Sequence, residues 1–157
     1  MAAPEQGDLS LLDDEAAVTL LGAAVPAHLA YLWSDGTPRN TPIWFHWDGT
    51  AVVMCSPSNA PKAHVLATGA PVAVTIHGAD WPFAVLLLRG AVEVDQVDGI
   101  ADEYRACAHR YFGPEQGQAW CDSLPAGLTM SRVRLAPTWV GLLDFAGMRR
   151  LPSALAG

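Results

Sequence analysis

Residues 35–49 read DGTPRNTPIWFHWDG, and this stretch commits the chain to an antiparallel sheet. It begins on Asp35-Gly36 and ends on Asp48-Gly49, dipeptides that favour the positive φ angles of a tight hairpin turn. Between the turns, Thr41, Ile43, Phe45 and Trp47 fall on one face of the segment 38–47, the period of a strand with one buried side. A strand held between two hairpin turns has an antiparallel neighbour on each side. Upstream that neighbour is AHLAYLWS (27–34), and downstream TAVVMCS (50–56) is expected to pair with 38–47. Three strands in meander order predict a sheet that closes on itself or packs over a helix.

The rest of the chain extends this pattern. Residues 11–22, LLDDEAAVTLLG, predict an amphipathic helix with acidic groups in its first turn and Gly22 at its end. After Ser56 a polar loop leads into a short helical stretch, AHVLATG (63–69), closed by Gly69. Strand-like runs resume at 71–77 and 83–94, where Gly90 is read as a bulge. Residues 97–111 predict a helix, 113–124 a second one after the Gly113-Pro114 break, and 129–136 and 138–145 two final strands. The expected domain is mainly β with α, an antiparallel barrel of about six to seven strands with short flanking helices. It spans 11–150, between a flexible N-terminus (1–10) and a C-terminal tail (151–157). No repeat, linker or low-complexity segment interrupts it.

With 157 residues, 51% of them apolar and 16% charged, the chain suits one domain with surface to spare for a partner. Self-association is the expected use of that surface. A net charge of −7 and a single lysine, Lys62, exclude a nucleic-acid backbone as partner, since that needs clustered cations. No apolar run reaches the length of a membrane span, and the opening MAAPEQGDLS lacks a basic region followed by an apolar core. A cytoplasmic location is the expectation. The three cysteines, Cys55, Cys107 and Cys121, lack CxxC spacing and are read as reduced thiols.

Chemistry concentrates in Ser56 to Lys62, SPSNAPK, where a strand end meets a helix start. Asn59 is placed to cap and Pro61 to occupy the first helical turn. Free N–H groups there would form an anion site, and Lys62, opposed by the helix dipole, would be relieved by a bound phosphate. The competing reading of Lys62 is a solvated surface residue. Ser56 and Ser58 supply hydroxyls for a cradle or for the backbone itself. The histidines show no HxH or HExxH spacing, so no metal site is expected, and neither a GxSxG elbow, a GxGxxG nor a P-loop is present. Most of the six tryptophans belong to a core, with one or two left for an interface or a planar ring. Arg132, Arg134, Arg149 and Arg150 are read as partners for carboxylates, the alternative being that one of them reaches the anionic tail of a cofactor or substrate.

Taken together, DGTPRNTPIWFHWDG, VVMCSPSNAPKAHVLATGAPVAVTI (52–76), LLLRGAVEV (86–94) and RVRLAPTWVGLLDF (132–145) resemble the pyridoxamine 5′-phosphate oxidase-like, FMN-binding split β-barrel superfamily, with its deazaflavin-dependent branch. The resemblance implies a homodimer with two interfacial cofactor sites, each lined by both subunits. It implies that Thr41, Pro42, Ile43 and Trp44 run along the flavin ring, that Cys55, Ser56, Ser58 and Lys62 face the phosphate, and that Trp139 adds a wall. It names no catalytic residue, because hydride chemistry belongs to the cofactor. FMN is the first expected cofactor and the deazaflavin coenzyme F-420 the alternative, acting on a small organic substrate. A barrel that binds without turnover is the reading from another class. Where many relatives carry Arg and Asn after the lysine, this chain has KAHVLATGAP, which points to weaker binding or a less anionic cofactor.

Overall fold

A computed structural model describes residues 4–146. Its elements are α1 (Glu15–Gly22), β1 (Ala27–Leu32), β2 (Pro38–Ile43), β3 (His46–Trp47), β4 (Val52–Pro57), β5 (Pro71–His77), β6 (Ala84–Asp98), α2 (Asp102–Phe112), α3 (Pro114–Asp122), β7 (Thr129–Leu135) and β8 (Trp139–Asp144), with 3-10 turns at Leu9–Asp13 and Pro61–His64. All strand pairings are antiparallel. The order β2-β1-β5-β6-β7-β4-β3, with β8 also on β6, makes a split barrel whose two halves share one long strand.

That strand is β6. Its first half pairs with β5 on one edge and β8 on the other, from Ala84↔Asp144 to Arg89↔Trp139. Its second half pairs with β7, from Val92↔Leu135 to Asp98↔Thr129. Gly90 sits at the changeover. It is not a bulge, for the β5 register passes through Val72↔Gly90 and Pro71↔Ala91 unbroken. A Cβ there would stand 3.0 Å from Leu135 Cδ1 and 3.2 Å from the Ala136 carbonyl, so the glycine is set by the close approach of the β7–β8 corner.

The alternating segment 38–47 divides, giving eight strands instead of six to seven. Its first part pairs with β1 through the Asp35-Gly36 hairpin, and only His46 and Trp47 pair with β4. Between them Phe45 is fully buried and Trp44 turns towards α2, so burial of two large rings overrides the ladder. The predicted helix 11–22 also divides. Asp8 caps the 3-10 turn through Ser10 N, and Asp14 caps α1 through Ala16 N; two competing N-caps in one segment produce two starts. Downstream of β4 the helical stretch shrinks to Pro61–His64, capped by Ala60 with no side-chain bond, so Asn59 does not cap. Residues 97–98, expected to be helical, extend β6.

Leu11, Leu29, Phe45, Met54, Ile76, Leu86, Leu88, Leu135 and Leu142 are fully buried in the main core. A smaller cluster of Val53, Cys55, Ala101 and Met130 lies beneath α2. Strand β4 therefore lies between barrel interior and helix, and its residues from Val52 to Ser56 are all buried. Within the expected flexible N-terminus, Gln6 bonds both the amide and the carbonyl of Leu142, at 2.9 and 2.8 Å, and Gly7 N donates to the Val140 carbonyl at 2.7 Å. The expected tail, Arg149 and Arg150 lie outside the described residues.

Candidate functional site

The end of β4 places hydroxyls in a row. Ser56 stands directly opposite Ser131 of β7, and the two are 7% and 1% exposed. The buried Ser131 hydroxyl has no hydrogen-bond partner, although buried hydroxyls are normally satisfied. One step on, Ser58 N donates to the Thr129 carbonyl at 3.0 Å and the two hydroxyls lie 2.5 Å apart. The chain then turns through Pro61–His64. A four-residue 3-10 turn carries almost no macrodipole, so the expected helix-start anion site reduces to Lys62 itself.

Lys62 is half-buried, and burial pulls its ammonium below the ordinary lysine range. The ion pairs among the described residues are Arg132 with Asp95 and Glu103, and Arg134 with Asp48. Lys62 belongs to none of them. An amine withdrawn from water without a counter-ion is the state an anionic ligand stabilises.

Beside it, Tyr31, Trp33, Arg39 and Pro61 line a cavity of about 270 Å³. Arg39 lies across from Tyr31 in the β1–β2 ladder and holds its guanidinium 5.3 Å from the centre of the Trp33 ring. It makes no ion pair among the described residues, although the carboxylate of Asp35 in the β1–β2 turn feels its charge. Ligand pockets usually measure about 300–1,000 Å³, so this cavity lies at the small end of that range. Thr41 and Ile43 share the Arg39 face of β2, opposite Leu29 and Ala27, whereas Pro42 pairs with His28 on the other face.

The other expected residues go elsewhere. Trp44 stacks on Tyr111 at 5.1 Å and 11°, and also meets Tyr104 and Phe112; its ring is committed to α2. Cys55 faces α2 as well. Burial first, then Glu103 and Cys107, pushes its thiol up to about 12, so it stays a protonated, inert group. Trp139 lies under the Arg89 guanidinium, 3.9 Å from its ring centre. Sequence reasoning missed Arg39, Trp33 and Ser131. The signal for Ser131 was present: it alternates with Val133 and Leu135, a hydroxyl at a core position.

The outer face of the β1-β5-β6-β8 sheet has an apolar centre, with Arg89, His28 and His77 around it. Cross-strand register brings Ala30, Ala73, Thr75, Leu87, Gly141 and Leu143 onto it. At its edge the His28 and His77 rings stack at 5.6 Å.

No family model matches the chain, and no curated protein does. Solved structures do. A conserved hypothetical protein from Mycobacterium tuberculosis aligns at a TM-score of 0.66 with 15% identity, covering 97% of this chain and 96% of that one. An F-420 reductase aligns at 0.58 with 25% identity, covering 78% and 93%. An FAD- and heme-binding protein from Mycobacterium smegmatis aligns at 0.56 with 21% identity, covering 83% and 71%. Among the described residues no helix is long and apolar enough to cross a membrane.

Proposed function

We propose that this chain, a split β-barrel of the flavin and deazaflavin oxidoreductase superfamily by fold, binds such a cofactor through the Lys62 loop and uses it in hydride transfer with a small organic substrate. The observation that carries the reading is the half-buried Lys62 ammonium without a carboxylate partner. It stands next to Pro61 of the cavity that holds Arg39 and Trp33. These groups fit a phosphate: two cations give charge-assisted bonds, and the Ser56 and Ser58 hydroxyls stand at the end of β4, just before the Lys62 turn, with Ser131 opposite Ser56 on β7.

The bound group supplies the hydride chemistry. The chain's part is to hold the phosphate at Lys62 and Arg39, to set a wall along Thr41 and Ile43, with Pro42 turned to the other face of β2, and to exclude water once a second subunit covers the open side. Trp44, Cys55 and Trp139 are less suited to direct contact, for their rings and thiol are engaged elsewhere. No general acid or base is assigned.

FMN is the first reading. Coenzyme F-420 is favoured by one specific observation, the 25% identity to an F-420 reductase over most of both chains. Titration of the cofactor-free protein with each compound separates the two by affinity. Binding followed by reduction with a hydride donor supports an oxidoreductase; binding without turnover supports the storage reading; binding of neither removes the proposal.

A further inference from the structure

A second cleft, of about 580 Å³, opens where the 3-10 turn and α1 cross β3. It shares no residue with the Lys62 cavity. Its β-side wall includes Thr50, just before β4, whereas Lys62 follows the end of β4; six extended residues separate the two by roughly 20 Å.

Leu9, Leu12, Val18, Leu21 and Trp47 form its apolar walls, and Arg110 of α2 reaches it from below. Leu9 and Val18 are 48% and 56% exposed at its lip, although aliphatic side chains gain from burial. Arg110 is held in place on both sides, 4.8 Å from the Phe45 ring centre and 5.1 Å from that of Tyr111, and donates from Nη2 to the Phe45 carbonyl. Its Nε is buried yet has no acceptor. Nor does any carboxylate among the described residues pair with it, including Asp13 of the same cleft.

The geometry assigns this cleft as a binding site for a small apolar monocarboxylate. The carboxylate would accept from the part of the Arg110 guanidinium that lines the cleft, while a hydrocarbon chain or ring lies against the leucines and Trp47. Asp13 sets the charge of the ligand. A second negative group on the ligand would meet the Asp13 carboxylate, and besides Arg110 and the imidazole of His46 no basic side chain lines the cleft, so dicarboxylates and phosphates are disfavoured.

The test is a titration of the purified, ¹⁵N-labelled protein with hexanoate and benzoate, followed at the Trp47 indole, against hexanamide, benzamide and succinate. The carboxylates should give saturable shifts, the amides and succinate none. Val18→Trp fills the lip at an exposed position, and should raise the Kd by about tenfold or more without unfolding the chain. Arg110→Gln should abolish carboxylate preference, while Lys62→Ala should leave the Kd unchanged, which separates this site from the cofactor site. Absence of saturable shifts, equal binding of the amides, or full affinity in Val18→Trp would overturn the assignment.

Discussion

Lys62 shows how far a single residue can be read. The sole lysine of an acidic chain, placed after a strand end, was identifiable as a candidate without coordinates; its partial burial and missing counter-ion were not. Lys62→Ala should weaken cofactor binding by about 1–3 kcal/mol, the cost of a lost charge-assisted bond, measured by calorimetry on the cofactor-free protein. Unchanged affinity would remove Lys62 from the site. Arg39 was illegible for a physical reason. Its relevance depends on the register that sets it opposite Tyr31 and on the 5.3 Å contact with Trp33, and neither follows from spacing along the chain.

Turns and helix pairs carry the next set of consequences. Burial tends to raise the Asp48 carboxyl, but the amides of Thr50 and Ala51, the Thr50 hydroxyl and Arg134 outweigh it and hold the group at about 2. A carboxyl whose folded value lies below its unfolded value of 3.8 stabilises the fold above that pH and loses the contribution as pH falls towards 2. Asp48→Asn should therefore cost about 1 kcal/mol at neutral pH after allowance for solvent screening. The difference from wild type should close in urea melts run down to about pH 2; a constant difference would mean that the charge is not what matters. In α3, a Cβ on Gly117 would meet the Ala108 carbonyl oxygen at 2.6 Å and His109 Cα at 2.7 Å, both backbone of α2. Gly117→Ala should push the helices apart and cost about 3 kcal/mol, whereas at Gly22, with nothing within 4 Å, the same change should be nearly neutral or slightly stabilising.

For the whole molecule, the apolar centre of the outer face and the small, open 270 Å³ cavity support one expectation, that a second copy covers the sheet and enlarges the site. Leu87 is central to that face, opposite both Thr75 and Gly141. Leu87→Glu should give a folded monomer by sedimentation and circular dichroism, and should lose cofactor binding together with the dimer. A variant that stays dimeric would place the interface elsewhere; a monomer that still binds would show that one chain suffices.

By itself, the sequence determined two antiparallel hairpins, at Asp35-Gly36 and Asp48-Gly49, because Asp-Gly turns and a period-2 apolar pattern are local signals that admit few alternatives. It did not determine the expected three-strand meander, for β2 and the β3–β4 pair stand at opposite ends of the strand order. It did determine the strand-to-loop segment bearing Lys62, which composition singles out. Tertiary structure decided the division of residues 38–47, since burying Phe45 and turning Trp44 onto α2 outweighed continuous pairing. It decided that Gly90 is a close approach and not a bulge, because the steric demand comes from Leu135 and Ala136, more than forty residues away. It decided which cations lack partners as well. Lys62, Arg39 and Arg110 look alike in sequence to Arg132 and Arg134, and only packing shows which of them meet a carboxylate.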